Sequence, residues 1–464
     1  MSHVVISPID NKPFATINLA TGEQVTETIE RSKKAFLLWK KVPIEERVRV
    51  VSKFIEAFVD KKDEIAEELT RQMGRPIRYA GGEIDGTAER ARYMMSIAEE
   101  SLKDVEIEDS DKPGFRRFIR KEPLGPILII AAWNYPYLIS VNGVVPAILA
   151  GNTVILKQSS QTPLCAQRFA DAFKEAGLIE NVFQILHAPH SEIEKAIKHP
   201  DIAYVNFTGS VEGGREIQKA ASSKFIATGL ELGGKDPAYV RSDADLDYTV
   251  EQLVDGSFFN SGQCCCAIER IYVHEQVYDQ FVNKFVESTK QYKLGFPLKH
   301  ETTLGPMVRT KAAEFVRDQI ENAVKQGAKP LIDVSLFPED KKNTPYMAPQ
   351  VLVNVNHSMK IMTEESFGPV IGIMKVSSDE EAIQLMNDSE FGLTASIWTK
   401  DEDAAVKIGN EIDTGTWFMN RCDYLDPALA WVGVKNSGRG CTLSKFGFDY
   451  LTRPKSFHLK LITK

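Results

Sequence analysis

Cysteine is scarce in this chain. Six thiols are spread over 464 residues. Cys165, Cys422 and Cys441 stand alone, whereas Cys264, Cys265 and Cys266 are consecutive. Adjacent cysteines bridge each other with difficulty and no second cluster follows, so the pattern excludes a disulfide framework. CxxC spacing is missing as well, and no metal site is expected. Reduced thiols fit a cytoplasmic setting. Positive charge is also short: 56 Lys and Arg face 64 Asp and Glu, for a net charge of −8. No Lys/Arg block supplies the basic face that a phosphate backbone needs, so no nucleic-acid partner is expected. Long apolar runs are absent too. The most hydrophobic window, PILIIAAWNYPYLISVNGVVPAILAG at 126–151, is interrupted by Asn134, Pro136, Asn142 and Pro146. That spoils it as a membrane span of about 20 residues. MSHVVISPIDNKPF at the N-terminus lacks a basic region followed by an apolar stretch, so no secretory signal is read there.

What is present describes a globular α/β protein. Hydrophobic residues make up 43% and charged residues 26%, and the length is roughly three times that of a typical domain, which predicts at least two. Residues 45–72 place Val51, Phe54, Ile55, Phe58 and Val59 on one helical stripe, the pattern of an amphipathic helix over a core. From 126 onward, β-branched runs (PILIIAA, NTVILK, AYVNFTG, FIATGLEL) alternate with helical stretches such as 163–176, which begins at Pro163 and stops at Gly177. This alternation predicts βαβ units and a mostly parallel sheet buried on both faces. A second α/β series follows 234, with helices near 275–290 and 310–326 and strands near 369–376 and 394–399. The charged, alternating stretch 104–124 predicts an exposed hairpin that pairs with another subunit or with the chain end KSFHLKLITK.

Four short segments hold groups that could do chemistry. In FFNSGQCCCAIER (258–270), an extended backbone would turn Cys265 away from Cys264 and Cys266. A buried cysteine usually packs as a small hydrophobe, but a thiolate nucleophile needs a loop like the Ser-Gly-Gln approach found here. In GLELGGKDP (229–237), Glu231 sits among apolar residues and glycines, where desolvation would raise its pKa toward that of a general base. In AAWNYP (131–136), Asn134 follows a strand, and its amide could donate to an oxyanion without titrating. In VNFTGSVEGGREI (205–217), a glycine-rich turn opens a helix whose N–H groups would suit a pyrophosphate, although the turn departs from GxGxxG. Lys157 closes the strand NTVILK and could meet ribose or phosphate. HAPH at 187–190 reads as a solvated turn.

In this order the segments resemble the aldehyde dehydrogenase superfamily over essentially the whole chain. The carriers are WNYP, FTGS, LELGGKDP, FNSGQCCCA and the run Glu364-Glu365-Ser366-Phe367-Gly368-Pro369, with Gly305-Pro306, Asn387 and Phe391-Gly392-Leu393 at matching places. The resemblance implies that Cys265 attacks an aldehyde, that Asn134 and the Cys265 N–H hold the oxyanion, and that Glu231 activates the water releasing a carboxylic acid. It implies NAD or NADP as cofactor, held by Trp133, Lys157, Ser160, Gly209, Ser210, Gly214, Glu365 and Phe367. Many relatives preferring NAD carry a glutamate where this chain has Ser160, so acceptance of NADP is expected. A small-molecule aldehyde is the expected partner, in a tunnel formed by Tyr135, Leu138, Asn142, Phe259 and Trp431. Near the C-terminus, AWVGVKNSGRGCT (430–442) departs from the family pattern, with Trp431 for a phenylalanine and Cys441 for a glutamate.

The resemblance also implies a Rossmann-like dinucleotide-binding domain (1–103 and 125–232), an α/β catalytic domain (233–438) and an oligomerisation segment (104–124 and 439–464) in a homodimer or homotetramer. A CoA-acylating enzyme would not need Glu231, and a non-catalytic structural or binding protein would not need Cys265, Glu231 and Asn134 together.

Overall fold

Two larger sheets carry the architecture in the computed structural model, which describes residues 1–107 and 112–462. The first has six strands in the order Gly438–Arg439, Ala227–Glu231, Tyr204–Thr208, Pro126–Ala131, Thr153–Gln158 and Phe183–Ile185. All neighbours are parallel except the edge pair Gly438–Arg439 with Ala227–Glu231. Every residue of Pro126–Ala131 is buried, because helices cover both faces and a central parallel strand must be apolar on each. The chain leaves this strand toward Thr153–Gln158 on one side and later returns to its other side as Tyr204–Thr208. Such a reversal opens a crevice at the carboxyl ends of the strands. Asn134, Gly209 and Glu231 all lie at those ends.

The second sheet has seven strands: Lys329–Pro330, Gln350–Val353, Val370–Val376, Ile268–His274, Asp236–Val240, Thr394–Trp398 and Thr416–Met419. Only the Lys329–Pro330 edge runs antiparallel. Its helices Tyr278–Thr289 and Thr310–Lys325 fall where the sequence places them, as does the helix Leu164–Glu175 of the first unit, with Pro163 at its N-cap and Gly177 at φ 75°. The Phe54, Phe58, Phe169 and Phe173 rings interlock above the first sheet, with Phe54 and Phe173 stacked at 3.8 Å.

The expected helix over 45–72 is two helices, Ile44–Val59 and Lys62–Met73. The apolar stripe of the first ends at Val59, and the charged run from Asp60 restarts a helix with Asp63 and Glu64 in its first turn, where acidic groups suit the helix dipole. Phe115–Pro123 pairs antiparallel with Thr452–Lys460 over nine residues and with Val105–Glu106, so the partner of that stretch within one chain is its own end. Part of the expected hairpin, 108–111, lies outside the described residues. Among the described residues, no helix is long and apolar enough to cross a membrane.

Candidate active site

The cysteine loop is held in a costly backbone conformation. Asn260 and Ser261 have φ of 54° and 59°, a region that costs a residue with a side chain on the order of 1–3 kcal/mol. Neighbours over-determine it. Asn260 donates from Nδ2 to the Asn134 and Gln263 carbonyls at 3.3 and 3.2 Å, and its Oδ1 accepts from Arg75 Nε at 3.2 Å. The Ser261 hydroxyl donates to the Gly305 carbonyl at 2.8 Å, and Gln263 Oε1 accepts from the Val308 N–H at 2.7 Å. Gly262 must be glycine, since an added Cβ would lie 2.2 Å from the Gly368 carbonyl oxygen.

Cys265 follows in a turn rather than a strand, which changes the expected geometry. The three sulfurs do not alternate between faces: they lie within 4.8 Å of one another. Cys264 and Cys266 are buried and direct their thiols at Oδ1 of Asp423, at 3.0 and 3.1 Å. Cys265 is half-buried and lines cavities on both sides of the loop. Hydrogen bonding from Cys264, then from Cys266, pulls its pKa down to about 6, and the same bond to Cys265 pushes Cys264 up to about 12. The middle thiol is therefore the one poised as thiolate.

Glu231 ends its strand between the same two cavities. Its Oε1 accepts from the Thr442 hydroxyl at 2.6 Å and its Oε2 from the Thr208 hydroxyl at 3.1 Å. Burial raises its pKa and the two hydroxyls oppose that rise. Asn134 is buried, donates from Nδ2 to the Gln263 carbonyl at 3.3 Å, and also lines both cavities. The turn carrying it rests on a pair that the sequence does not announce. Arg75 and Glu83 form a buried ion pair; Arg75 also donates to the Asn134 carbonyl, and Glu83 accepts the Tyr137 N–H at 2.8 Å.

On one side of Cys265 lies a cavity of ≈ 580 Å³ whose wall includes Trp133, Gly209, Ser210, Glu365 and Phe367. Ser210 also lines a cavity of ≈ 610 Å³ shared with Lys157, His190, Ser191 and Gly213. The Ser210 hydroxyl caps the helix Val211–Ala221, accepting from the Gly213 N–H at 3.1 Å. Glu365 accepts the Gly234 N–H at 2.9 Å, and burial pushes its pKa up to about 8. A Cβ on Gly233 would lie 2.5 Å from that carboxylate, so only glycine admits it. Phe367, at φ 51°, is pinned by Glu269, whose two oxygens accept the Ser366 and Phe367 N–H groups at 2.8 and 2.9 Å. Glu269 in turn pairs with buried Lys235 at 2.6 Å.

Two expected cofactor residues fall elsewhere. Gly214 lines neither the ≈ 580 Å³ nor the ≈ 610 Å³ cavity; a Cβ there would lie 2.7 Å from the Leu232 side chain, so this glycine serves the packing of helix on strand. Ser160 is exposed and lines none of these cavities. Lys157 lines the larger cavity, where burial lowers its pKa, and it forms no ion pair among the described residues. HAPH is not simply a solvated turn. His187 is half-buried, with its pKa lowered by burial and by Lys157, and His190 opens the helix His190–Lys198 on the cavity wall.

On the other side of Cys265, a cavity of ≈ 400 Å³ is lined by Tyr135, Leu138, Asn142, Phe259 and Trp431, all five expected from the sequence. Arg90, Asp85, Glu89, Asp423 and Tyr424 share its wall and were not anticipated as a group. None of these five lies in the motifs quoted above, and charged residues on a helix such as Ile77–Leu102 ordinarily read as solvated.

Fold and site thus define a class: an α/β protein in which a thiol, a carboxyl and an amide converge where two cavities meet. The model of the aldehyde dehydrogenase family matches residues 2–457, and the chain belongs to that family. It is 33% identical to the probable betaine aldehyde dehydrogenase of Schizosaccharomyces pombe over 454 residues, covering 97% of this chain and 90% of the relative. It is 34% identical over 444 residues to the NAD(P)+ succinate semialdehyde dehydrogenase Sad of Escherichia coli K12, covering 96% and 95%. The crystal structure of NADP-dependent glyceraldehyde-3-phosphate dehydrogenase from Bacillus halodurans C-125 complexed with NADP is similar at a TM-score of 0.94 and 32% identity, covering 100% of this chain and 96% of that one.

Proposed function

We propose that the protein oxidises an aldehyde to a carboxylic acid with NAD or NADP. The observation carrying this reading is that Cys265, Glu231 and Asn134 all border both the substrate-side and the cofactor-side cavities. The residues fit a dinucleotide: Lys157 brings a half-buried cation without an ion-pair partner among the described residues to one cavity wall, and Ser210 at a helix N-terminus joins that cavity to the one bordered by Glu365 and Phe367. Lys157 would hold the adenosine ribose, Ser210 the pyrophosphate, Glu365 the second ribose, and Phe367 with Trp133 the ring. The names of the relatives, NAD(P)+ and NADP enzymes among them, support the same cofactor.

The Cys265 sulfur adds to the aldehyde carbon, and the thiohemiacetal oxyanion is held by the Asn134 amide and the Cys265 N–H. A nicotinamide held beside Trp133 and Phe367 would supply the hydride acceptor that brings the sulfur-bound carbon to the acyl level. Glu231 then takes a proton from water as its oxygen attacks that carbon, and the acid leaves as Cys265 is regenerated. The first unit, 1–103 and 125–232, would bind the dinucleotide and the second, 233–438, would supply the thiol. The paired edge of Phe115–Pro123 and Thr452–Lys460, beside exposed Leu459, Leu461 and Ile462, would serve assembly into a homodimer or homotetramer.

The test is Glu231→Gln in rapid mixing with aldehyde and cofactor. It should give a burst of about one reduced cofactor per site followed by slow turnover, because the acyl group stays on sulfur. Wild type should release free acid without CoA. Activity strictly dependent on CoA, or an unchanged steady rate in the variant, would overturn the reading.

A further inference from the structure

A buried cation in the substrate-side cavity forms no ion pair among the described residues. Arg90, from the helix Ile77–Leu102, is 9% exposed and lines that cavity with Cys265 and Glu231. Its Nη1 donates to the Leu138 carbonyl and to Asn142 Oδ1, each at 3.1 Å. Both partners are neutral oxygens; the nearby Cys266, Glu231, Glu83 and Cys265 favour the charged form through space, yet no carboxylate among the described residues forms an ion pair with it. Burying an unpaired charge is costly, and burial indeed works against the charged form here.

The acidic groups around the cavity are committed elsewhere. Asp85 faces Lys62 Nζ at 2.5 Å. Glu89 accepts the Tyr424 hydroxyl at 3.3 Å. Asp423 receives two thiols, and burial holds its carboxyl well above the usual range. Glu231 takes the hydroxyls of Thr208 and Thr442, and Glu83 is paired with Arg75. Aromatic Tyr135, Phe259 and Trp431, with Leu138 and Ile139, supply the apolar part of the wall. Arg90 is thus the one cation on this wall, and among the described residues no carboxylate lies within ion-pair distance of it; a guanidinium matches a carboxylate through paired N–H donors.

We propose that Arg90 anchors a carboxylate on the substrate, so that the preferred aldehydes are oxo acids carrying the anion at the end remote from the carbonyl. This rests on the aldehyde oxidation proposed above. Asn142 is then a positioning residue: it holds Nη1 and leaves the rest of the guanidinium fork to the ligand.

The experiment compares kcat/KM for ω-oxo acids of increasing length with that for uncharged aldehydes and amino-aldehydes of the same length, in wild type, Arg90→Met and Arg90→Lys. Wild type should favour the best oxo acid over its uncharged counterpart by about tenfold or more. Arg90→Met should collapse that ratio, mainly through KM, and Arg90→Lys should restore part of it. Equal losses for charged and uncharged aldehydes in Arg90→Met would mark a purely structural role and overturn the proposal. So would a wild-type preference for uncharged or amino-aldehydes. If Arg90→Met fails to fold, inhibition of the wild type decides: succinate should compete with the aldehyde, and its absence of effect beside equal use of charged and uncharged aldehydes would refute the anchor. Failure of the underlying function looks different, since no aldehyde of any charge would then be oxidised.

Discussion

The hydroxyl of Thr442 donates to Oε1 of Glu231 at 2.6 Å across 211 positions of sequence. The bond exists because Gly438–Arg439 returns as an edge strand beside Leu230 and Glu231. It stabilises the carboxylate and so opposes the upward push of burial. A base is active only when deprotonated, and its activity is lost as pH falls through its pKa. Thr442→Val should raise that pKa, moving the acid limb of kcat to higher pH by roughly half to one unit. A pH profile of steady-state turnover checks this, and an unshifted limb would separate Glu231 from the slow step.

Cys264 and Cys266 hold their thiols beside the Cys265 sulfur, and hydrogen bonding among the three lowers its pKa. Cys265→Ser should abolish oxidation while dinucleotide binding persists. Cys264→Ser and Cys266→Ser should keep most activity, since a hydroxyl also donates. Cys264→Ala removes a donor, so the midpoint for iodoacetamide alkylation of Cys265 should rise. At a fixed pH below both midpoints, labelling should slow about tenfold for each unit of that rise. Loss of oxidation in Cys264→Ser rather than Cys265→Ser would assign the nucleophile to the wrong sulfur.

Lys157 is the cation on the wall of the ≈ 610 Å³ cavity. Lys157→Met keeps the stem and removes the charge. Dinucleotide affinity should fall by about tenfold, the scale of one charged hydrogen bond. Calorimetric titration measures it; alkylation of Cys265 without cofactor should proceed as in wild type, because Lys157 does not border that thiol.

Glu269 supports Phe367 from below through two backbone N–H groups while paired with Lys235. Glu269→Ala would leave a buried ammonium alone and two amides unsatisfied. A destabilisation of about 3–5 kcal/mol is expected from the broken pair, read as a lower urea midpoint at constant slope.

Much of the fold is legible locally. The run PILIIA is apolar at every position because a central parallel strand is covered twice, and Pro163 and Gly177 bracket a helix for backbone reasons that need no neighbours. Cys265, Glu231 and Asn134 were readable because each sits in a short motif whose glycines and turn residues constrain its own backbone. Gly214 and Ser160 fall away from the two cavities for the same reason turned around: a glycine or serine near a motif does not reveal whether cavity, helix or solvent faces it. The cysteine alternation failed because it assumed a strand where Asn260 and Ser261 force a turn.

By itself, then, the sequence determined the α/β alternation, the strand ends and the candidate side chains that meet at the cavities, all properties set by nearest neighbours and by periodicity. Only the tertiary structure decided that Thr442 meets Glu231, that Asp423 gathers two thiols, that Glu269 holds Phe367, and that Arg90 lines the cavity with no ion pair among the described residues. Those relations join residues from separate elements, and whether a charge is solvated, paired or left waiting for a ligand depends on what the distant chain brings against it.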